Sequence, residues 1–208
     1  MMIRLVFALC FSMFAAAVPA QALAPDVQVK NITNEVIAII KQDKEIQAGN
    51  QKKINELVDA KVLPHFNFTR MTALAMGRNW PKASPEQQKA LTGEFRTLLV
   101  RTYSSALSSY KNQVIEFKPL RAAAADADVT VRTQVIQPGT EAISIDYNLE
   151  QTPAGWKVYD VVVGWVSLVT NYRETFNSEI RQGGVDGLIK SLGSKNRSLE
   201  SQASAKAK

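Results

Sequence analysis

Trp156-Lys157-Val158-Tyr159-Asp160-Val161-Val162-Val163-Gly164-Trp165-Val166-Ser167-Leu168-Val169-Thr170-Asn171-Tyr172-Arg173 carries a strand pattern, a turn and a helix start in succession. Its first eight residues read as a strand that is apolar on both faces towards its end, which places it centrally in a sheet. Gly164 supplies a turn. From about Ser167 the period changes: Val169, Tyr172, Phe176 and Ile180 recur at helical spacing. Upstream, Val129, Val131, Thr133 and Val135 alternate with Thr130, Arg132 and Gln134. Ile143, Ile145, Tyr147 and Leu149 alternate with Ser144, Asp146 and Asn148, and Ile115 and Phe117 alternate with Val114, Glu116 and Lys118. One apolar and one wet face per strand is the pattern of an antiparallel sheet. Pro138-Gly139 and Pro153-Ala154-Gly155 mark the turns.

The first half of the chain is helical. Val29, Ile32, Val36, Ile39 and Ile40 form one stripe. Asn50 caps a second helix carrying Ile54, Leu57, Val58 and Val62, which Pro64 ends. A short helix after Asn67 turns Met71, Leu74 and Ala75 inward and stops at Gly77. Ser84-Pro85-Glu86-Gln87 is the strongest start signal. Serine is the N-cap, proline takes the first helical position, and the glutamine completes a capping box. The helix it opens is expected to run to about Lys111, with Leu91, Phe95, Leu98, Leu99, Tyr103, Ala106, Leu107 and Tyr110 inward. After Phe176, Gly183-Gly184 breaks the helix, and Val185, Leu188, Ile189 and Leu192 form a last short one.

Helices followed by strands predict an α+β fold. The expected architecture is a curved four-stranded antiparallel sheet covered by six or seven helices. The long amphipathic helix and the C-terminal helix are expected to lie over its apolar face, with an apolar cavity between the layers. A solidly packed core is the alternative, since most such layers simply pack.

The ends of the chain are read separately. Arg4 precedes the apolar run Leu5–Val18 and then Pro19-Ala20-Gln21-Ala22. That is the n-region, h-region and small-residue site of a secretory leader. Residues 1–22 are expected to be cleaved, because the run falls short of the ~20 apolar residues of a membrane span. The lone Cys10 lies inside the leader, so the mature chain carries no thiol and no disulfide. Residues 23–193 read as a single domain. Residues 194–208, rich in Ser, Lys, Ala and Gln, read as a disordered polar tail. Net charge is +6 over the 208 residues, and +5 without Arg4. The basic residues are scattered rather than blocked or interleaved with aromatics, which argues against nucleic acid. They suit proximity to anionic lipid or acidic partners, and equally an ordinary solvated surface.

Catalytic signatures are missing. No H-E-x-x-H, G-x-S-x-G or phosphate-binding glycine loop is present. A cavity enzyme would have only His65, Asp146 and Asp160 for its acid and base, and no metal set beyond one histidine and scattered carboxylates. Asp160, in an apolar strand, must face an edge, a partner such as Arg132, or backbone amides.

The motifs Leu63-Pro64-His65-Phe66-Asn67-Phe68, Ala75-Met76-Gly77-Arg78-Asn79-Trp80, Ser84-Pro85-Glu86-Gln87-Gln88, Phe95–Leu107, the opening segment and Gly183-Gly184-Val185-Asp186-Gly187-Leu188-Ile189 occur in one order. Together they resemble the MlaC family of periplasmic phospholipid shuttles, also called toluene-tolerance proteins, from roughly Ile54 to Leu192. One departure stands out: Gly164-Trp165 replaces the family's acidic residue and glycine before V-S, which leaves pocket size and lipid count open. The resemblance implies a periplasmic, monomeric carrier, not an enzyme, that moves phospholipid between the two membranes and passes transiently close to them. Its partners would be an outer-membrane MlaA-type lipoprotein and an inner-membrane MlaD-type ring with its ABC transporter. It implies no cofactor, only phospholipid as cargo. Two acyl chains hold on the order of 30 methylenes at ~0.8 kcal/mol each in water, so a dry sleeve removes most of the cost of crossing. The residues expected to line it are Leu98, Leu99, Tyr103, Leu107, Val131, Ile145, Tyr147, Val161, Val163, Val166, Val169 and Tyr172, with Arg101 or Arg173 near the headgroup. A small cavity enzyme and a solid-cored periplasmic adaptor are the competing classes.

Overall fold

The computed structural model describes residues 23–123 and 125–206. The leader and its cleavage after Ala22 lie outside them. Six helices, α1 (Pro25–Gln42), α2 (Lys44–Gln47), α3 (Gln51–Lys61), α4 (Phe68–Met76), α5 (Pro85–Tyr103) and α6 (Leu168–Lys206), accompany five strands. These are β1 (Val114–Phe117), β2 (Asp128–Ile136), β3 (Ile143–Thr152), β4 (Gly155–Val163) and β5 (Val166–Ser167). The strands form one open antiparallel sheet in the order β1-β2-β3-β4-β5.

The helix starts follow the polar residues that precede them. Asn50 Oδ1 accepts from the Lys53 amide at 3.3 Å, and Asn67 Oδ1 from the Arg70 amide at 3.0 Å. The capping box closes in both directions, with Gln87 N to Ser84 Oγ at 3.2 Å and Ser84 N to Gln87 Oε1 at 2.9 Å. Asp43 caps α2 by accepting from the Glu45 and Ile46 amides at 2.9 and 3.1 Å.

Four expectations need correction. The sheet has five strands, not four. Gly164 and Trp165, at φ 53° and 74°, make a two-residue hairpin turn that pairs Val163 with Val166 before α6 begins. The long helix stops at Tyr103, and Ser104–Ser109 tighten into a 3₁₀ turn. Serine hydroxyls compete with the helical ladder, and Ser104 is buried with its hydroxyl accepting from Gln51 Nε2 at 3.0 Å. Residues 194–206 are not a disordered tail but the end of α6. There Asn196 is buried, donating to the Glu94 carbonyl at 2.9 Å and its Oε2 at 2.6 Å, while Leu199 packs on the helical core. The break at Gly183-Gly184 is a kink within α6 at Gly184, φ 67° and ψ −169°.

The fourth correction concerns the layers. α5 and α6 do not extend as a layer over the sheet's apolar face: α6 meets it at Leu168, and α5 faces Val161 across a small pocket. They pack on each other and on α4, with the Phe95 ring edge-on to Tyr172 and Phe176 at 5.1 Å each. The apolar face of Val129, Val131, Leu149, Trp156, Val158 and Val161 is met by Val29 of α1. Arg70 of α4 joins helices to sheet. Its guanidinium contacts Asp128 and Glu150, both at 2.7 Å, and stacks on the Tyr159 ring at 3.6 Å.

Candidate functional site

Between α1 and the apolar face of the sheet the layers do not close. α1 turns Val29, Ile32, Val36 and Ile40 towards the sheet because they share one helical stripe. The sheet answers with Ile115, Val135, Ile143, Ile145, Tyr147, Val158 and Val163, and a bulge opposite Asn148 and Leu149 keeps Val158 and Val163 on one face. The space between them is about 510 Å³, within the roughly 300–1,000 Å³ of small-molecule sites. Leu107 and Tyr110, in and just after the 3₁₀ turn, close one side. Gln113, Gln137, Thr140 and Glu141 give it a polar rim. A second pocket of about 180 Å³ lies behind it, between α3, α4, α5 and β4, and shares Val62, Phe66 and Leu107 as a wall.

The expected lining residues divide. Leu107, Ile145, Tyr147 and Val163 face the larger pocket. Leu99, Tyr103 and Val161 face the smaller, which Leu107 also touches. Val131 is buried in the sheet core, and Val169 in the α4–α5–α6 core. Leu98 and Tyr172 line a groove between α5 and α6 on the far side of the helices. Val166 is 54% exposed on β5. Arg101 donates to the Asn196 carbonyl and pairs with Glu200 at 3.1 Å, while Arg173 donates to the Leu74 carbonyl at 2.9 Å, so neither lines the pocket. The larger contribution missed in the sequence is α1. Its stripe was legible, but nothing local says which surface a stripe will meet. His65 and Phe66 also line the pocket, from a short 3₁₀ turn and the residue after it, which are too brief to show a period.

The three candidate acids and bases, His65, Asp146 and Asp160, lie in different places. His65 is at the pocket, and burial first, then the Lys157 ammonium, lower its pKa below the usual 6.5 against an opposing pull from Glu35. Asp146 is 3.8 Å from Arg132 on the wet face of the sheet. Asp160 is buried and accepts from the Ser167 hydroxyl at 2.7 Å and the Val169 amide at 3.2 Å, fixing the start of α6. Burial pushes the Tyr147 hydroxyl up to about 12, with Thr133 pulling the other way, so this one polar group on the sheet wall stays neutral. Among the described residues no three His, Cys, Asp or Glu side chains converge as metal ligands, and no helix is long and apolar enough to cross a membrane.

An open antiparallel sheet with an apolar pocket under one helix has the shape and the lining to hold an apolar ligand. The same architecture occurs in a solved phospholipid-binding protein from Ralstonia solanacearum in complex with a phospholipid. The match has a TM-score of 0.80 and 41% identity, and covers 86% of this chain and 99% of that one. The family model of the MlaC protein matches residues 30–194. The chain belongs to the MlaC family. It is 26% identical over 155 residues to the intermembrane phospholipid transport system binding protein MlaC of Haemophilus influenzae, across 70% of this chain and 72% of that protein. To the toluene tolerance protein ttg2D of Pseudomonas putida it is 25% identical over 171 residues, across 79% and 77%.

Proposed function

We propose that this protein is a periplasmic phospholipid carrier, moving lipid between outer-membrane and inner-membrane components of a lipid-asymmetry system without catalysing a reaction. The observation that carries this reading is the pocket between α1 and the sheet, large enough for an acyl chain and walled by apolar side chains. Membership of the MlaC family and the phospholipid held by the Ralstonia relative support it. Acyl chains occupy the larger pocket against Ile145, Tyr147 and Val163. The smaller one, across Val62, Phe66 and Leu107, takes a second chain or a chain end. Transfer from bilayer to pocket is close to neutral because both are apolar, so direction comes from partners with unequal affinity for loaded and empty protein. An MlaA-type lipoprotein and an MlaD-type ring with its ABC transporter fit that requirement. The carrier is a monomer whose mature chain, residues 23–193 with the end of α6, begins at Leu23.

Native mass spectrometry of the freshly purified protein tests the carrier. Co-purified phospholipid is expected; a uniformly ligand-free mass would overturn it. Intact mass of a periplasmic extract tests the leader, and a chain that retains Met1 in the membrane pellet would exclude cleavage after Ala22.

A further inference from the structure

Trp165 is 91% exposed, more than any other large apolar side chain among the described residues. It is the second residue of the β4–β5 turn, at φ 74°, where an L-residue with a bulky side chain is strained. Among the described residues no ring or cation stacks on its indole. The fold therefore draws nothing evident from this side chain, and the turn would close more comfortably with asparagine or glycine.

The indole does not stand alone. Val166 beside it is 54% exposed, Val163 across the hairpin is 36% exposed, and Ile143 on β3 is 52% exposed. Val163 and Ile143 also line the larger pocket. Exposed apolar side chains thus occur both at the wall of the pocket, at Val163 and Ile143, and at the tip of the hairpin, at Trp165 and Val166.

We propose that this tip is a bilayer-contact site. Trp165 and Val166 enter the interface of a phospholipid membrane, and Val163 with Ile143 form the path by which an acyl chain passes between membrane and pocket. This rests on the carrier reading above and adds direct contact with the bilayer to it. Three observations favour a membrane over a protein partner. Four exposed apolar residues at and beside the hairpin tip are far fewer than the roughly 20–30 a side of a stable protein interface. Tryptophan is the side chain that settles at the headgroup level, with an apolar ring and one N–H donor. The net charge, +6 over the whole sequence and +5 from Leu23 onward, draws the molecule to anionic lipid.

The test uses the full protein with vesicles of phosphatidylethanolamine and phosphatidylglycerol. Vesicle flotation, tryptophan emission, lipid content by native mass spectrometry and thermal unfolding are measured for the wild type, Trp165→Asn and Trp165→Phe. Wild-type emission should shift to the blue on vesicles. Trp165→Asn should bind them on the order of tenfold more weakly, keep its lipid, and melt no lower than the wild type, because asparagine tolerates positive φ. Trp165→Phe should retain most of the binding. Should Trp165→Asn fold poorly, Trp165→Gly, with unrestricted φ, takes its place in the same assay. Lipid-loaded wild type that shows no shift, a variant without the indole that floats like wild type, or a phenylalanine variant as weak as the asparagine one would each overturn the inference. The first of these would assign the tip to a protein partner. Wild type that binds vesicles but carries no lipid would sink the carrier reading and leave membrane contact standing.

Discussion

Ile145 is half-buried in the fold yet faces the larger pocket, and that distinction is experimentally accessible. In a solid core an unpaired carboxylate costs several kcal/mol. In a pocket that opens to solvent, water follows the charge in once the ligand has gone. Ile145→Glu should therefore give a folded protein without phospholipid, read by thermal unfolding and lipid extraction on one sample. A folded variant with a full complement of lipid would move the acyl chain elsewhere. His65 makes a second residue-scale case. Its folded-state pKa lies below 6.5, chiefly from burial, then from Lys157. The unfolded chain binds that proton more readily, so stability falls as pH drops through about 6.5 and stops falling below the folded-state pKa; above about 7 the group contributes nothing. His65→Gln should flatten the fall in melting temperature between about pH 7.5 and about pH 5.5, while leaving lipid content unchanged. Parallel profiles for the two proteins would contradict this.

Two adjacent glycines in α6 are expected to behave oppositely. Gly184 sits at φ 67°, ψ −169°, a region almost reserved for glycine, with open space around its α-carbon. Gly184→Ala meets no clash and still costs roughly 1–3 kcal/mol in backbone strain. Gly183 has no positive φ and equally open surroundings, so Gly183→Ala should stabilise by roughly 0.5–1 kcal/mol. Urea unfolding of both variants checks the pair; equal effects would mean that the kink is not set by Gly184. At the end of the same helix, removing residues 194–208 takes away the Asn196–Glu94 bonds, the Arg101–Glu200 pair and the Leu199 contact. We expect a loss of roughly 2–4 kcal/mol from lost hydrogen bonds and apolar burial. Unchanged urea stability would return the segment to the role of a passive tail.

At the scale of the molecule, α4, α5 and α6 form one apolar cluster, and the sheet with Val29 of α1 forms another. Arg70 is the main polar joint, with two carboxylates at 2.7 Å and an aromatic ring under its guanidinium. Arg70→Ala leaves Asp128 and Glu150 without their cation. Because the arginine side chain is 30% exposed, part of that field is screened by water. We expect a cost of roughly 1–3 kcal/mol, measured by thermal unfolding, with Arg70→Lys recovering only part because lysine cannot stack or fork. Full recovery by lysine would reduce the joint to a simple charge contact. The open space under α1 belongs to this scale too: α5 and α6 pack mainly on one another and on α4, and most of the sheet's apolar face is left to α1.

The α+β class, four of the five strands, most helix starts and the break at Gly184 were legible in the local pattern of residues. These depend on side-chain alternation, capping chemistry and glycine's φ range, all of which act within a few residues. The sequence also carried motifs enough to point to the family. Tertiary structure alone decided which stripe meets which face. Val131 and Val169 turned out to be core, Ile145 and Tyr147 pocket wall, and Val166 surface. An apolar side chain has the same reason to leave water in each buried setting, so no periodicity separates a wall from a core. The end of α6 escaped for a related reason: its polar composition reads as tail until Glu94, ninety residues and more away, supplies the partner for a buried Asn196. Trp165 escaped because a Gly-Trp turn does not look like a hairpin turn, and only the paired strands on either side of it reveal one.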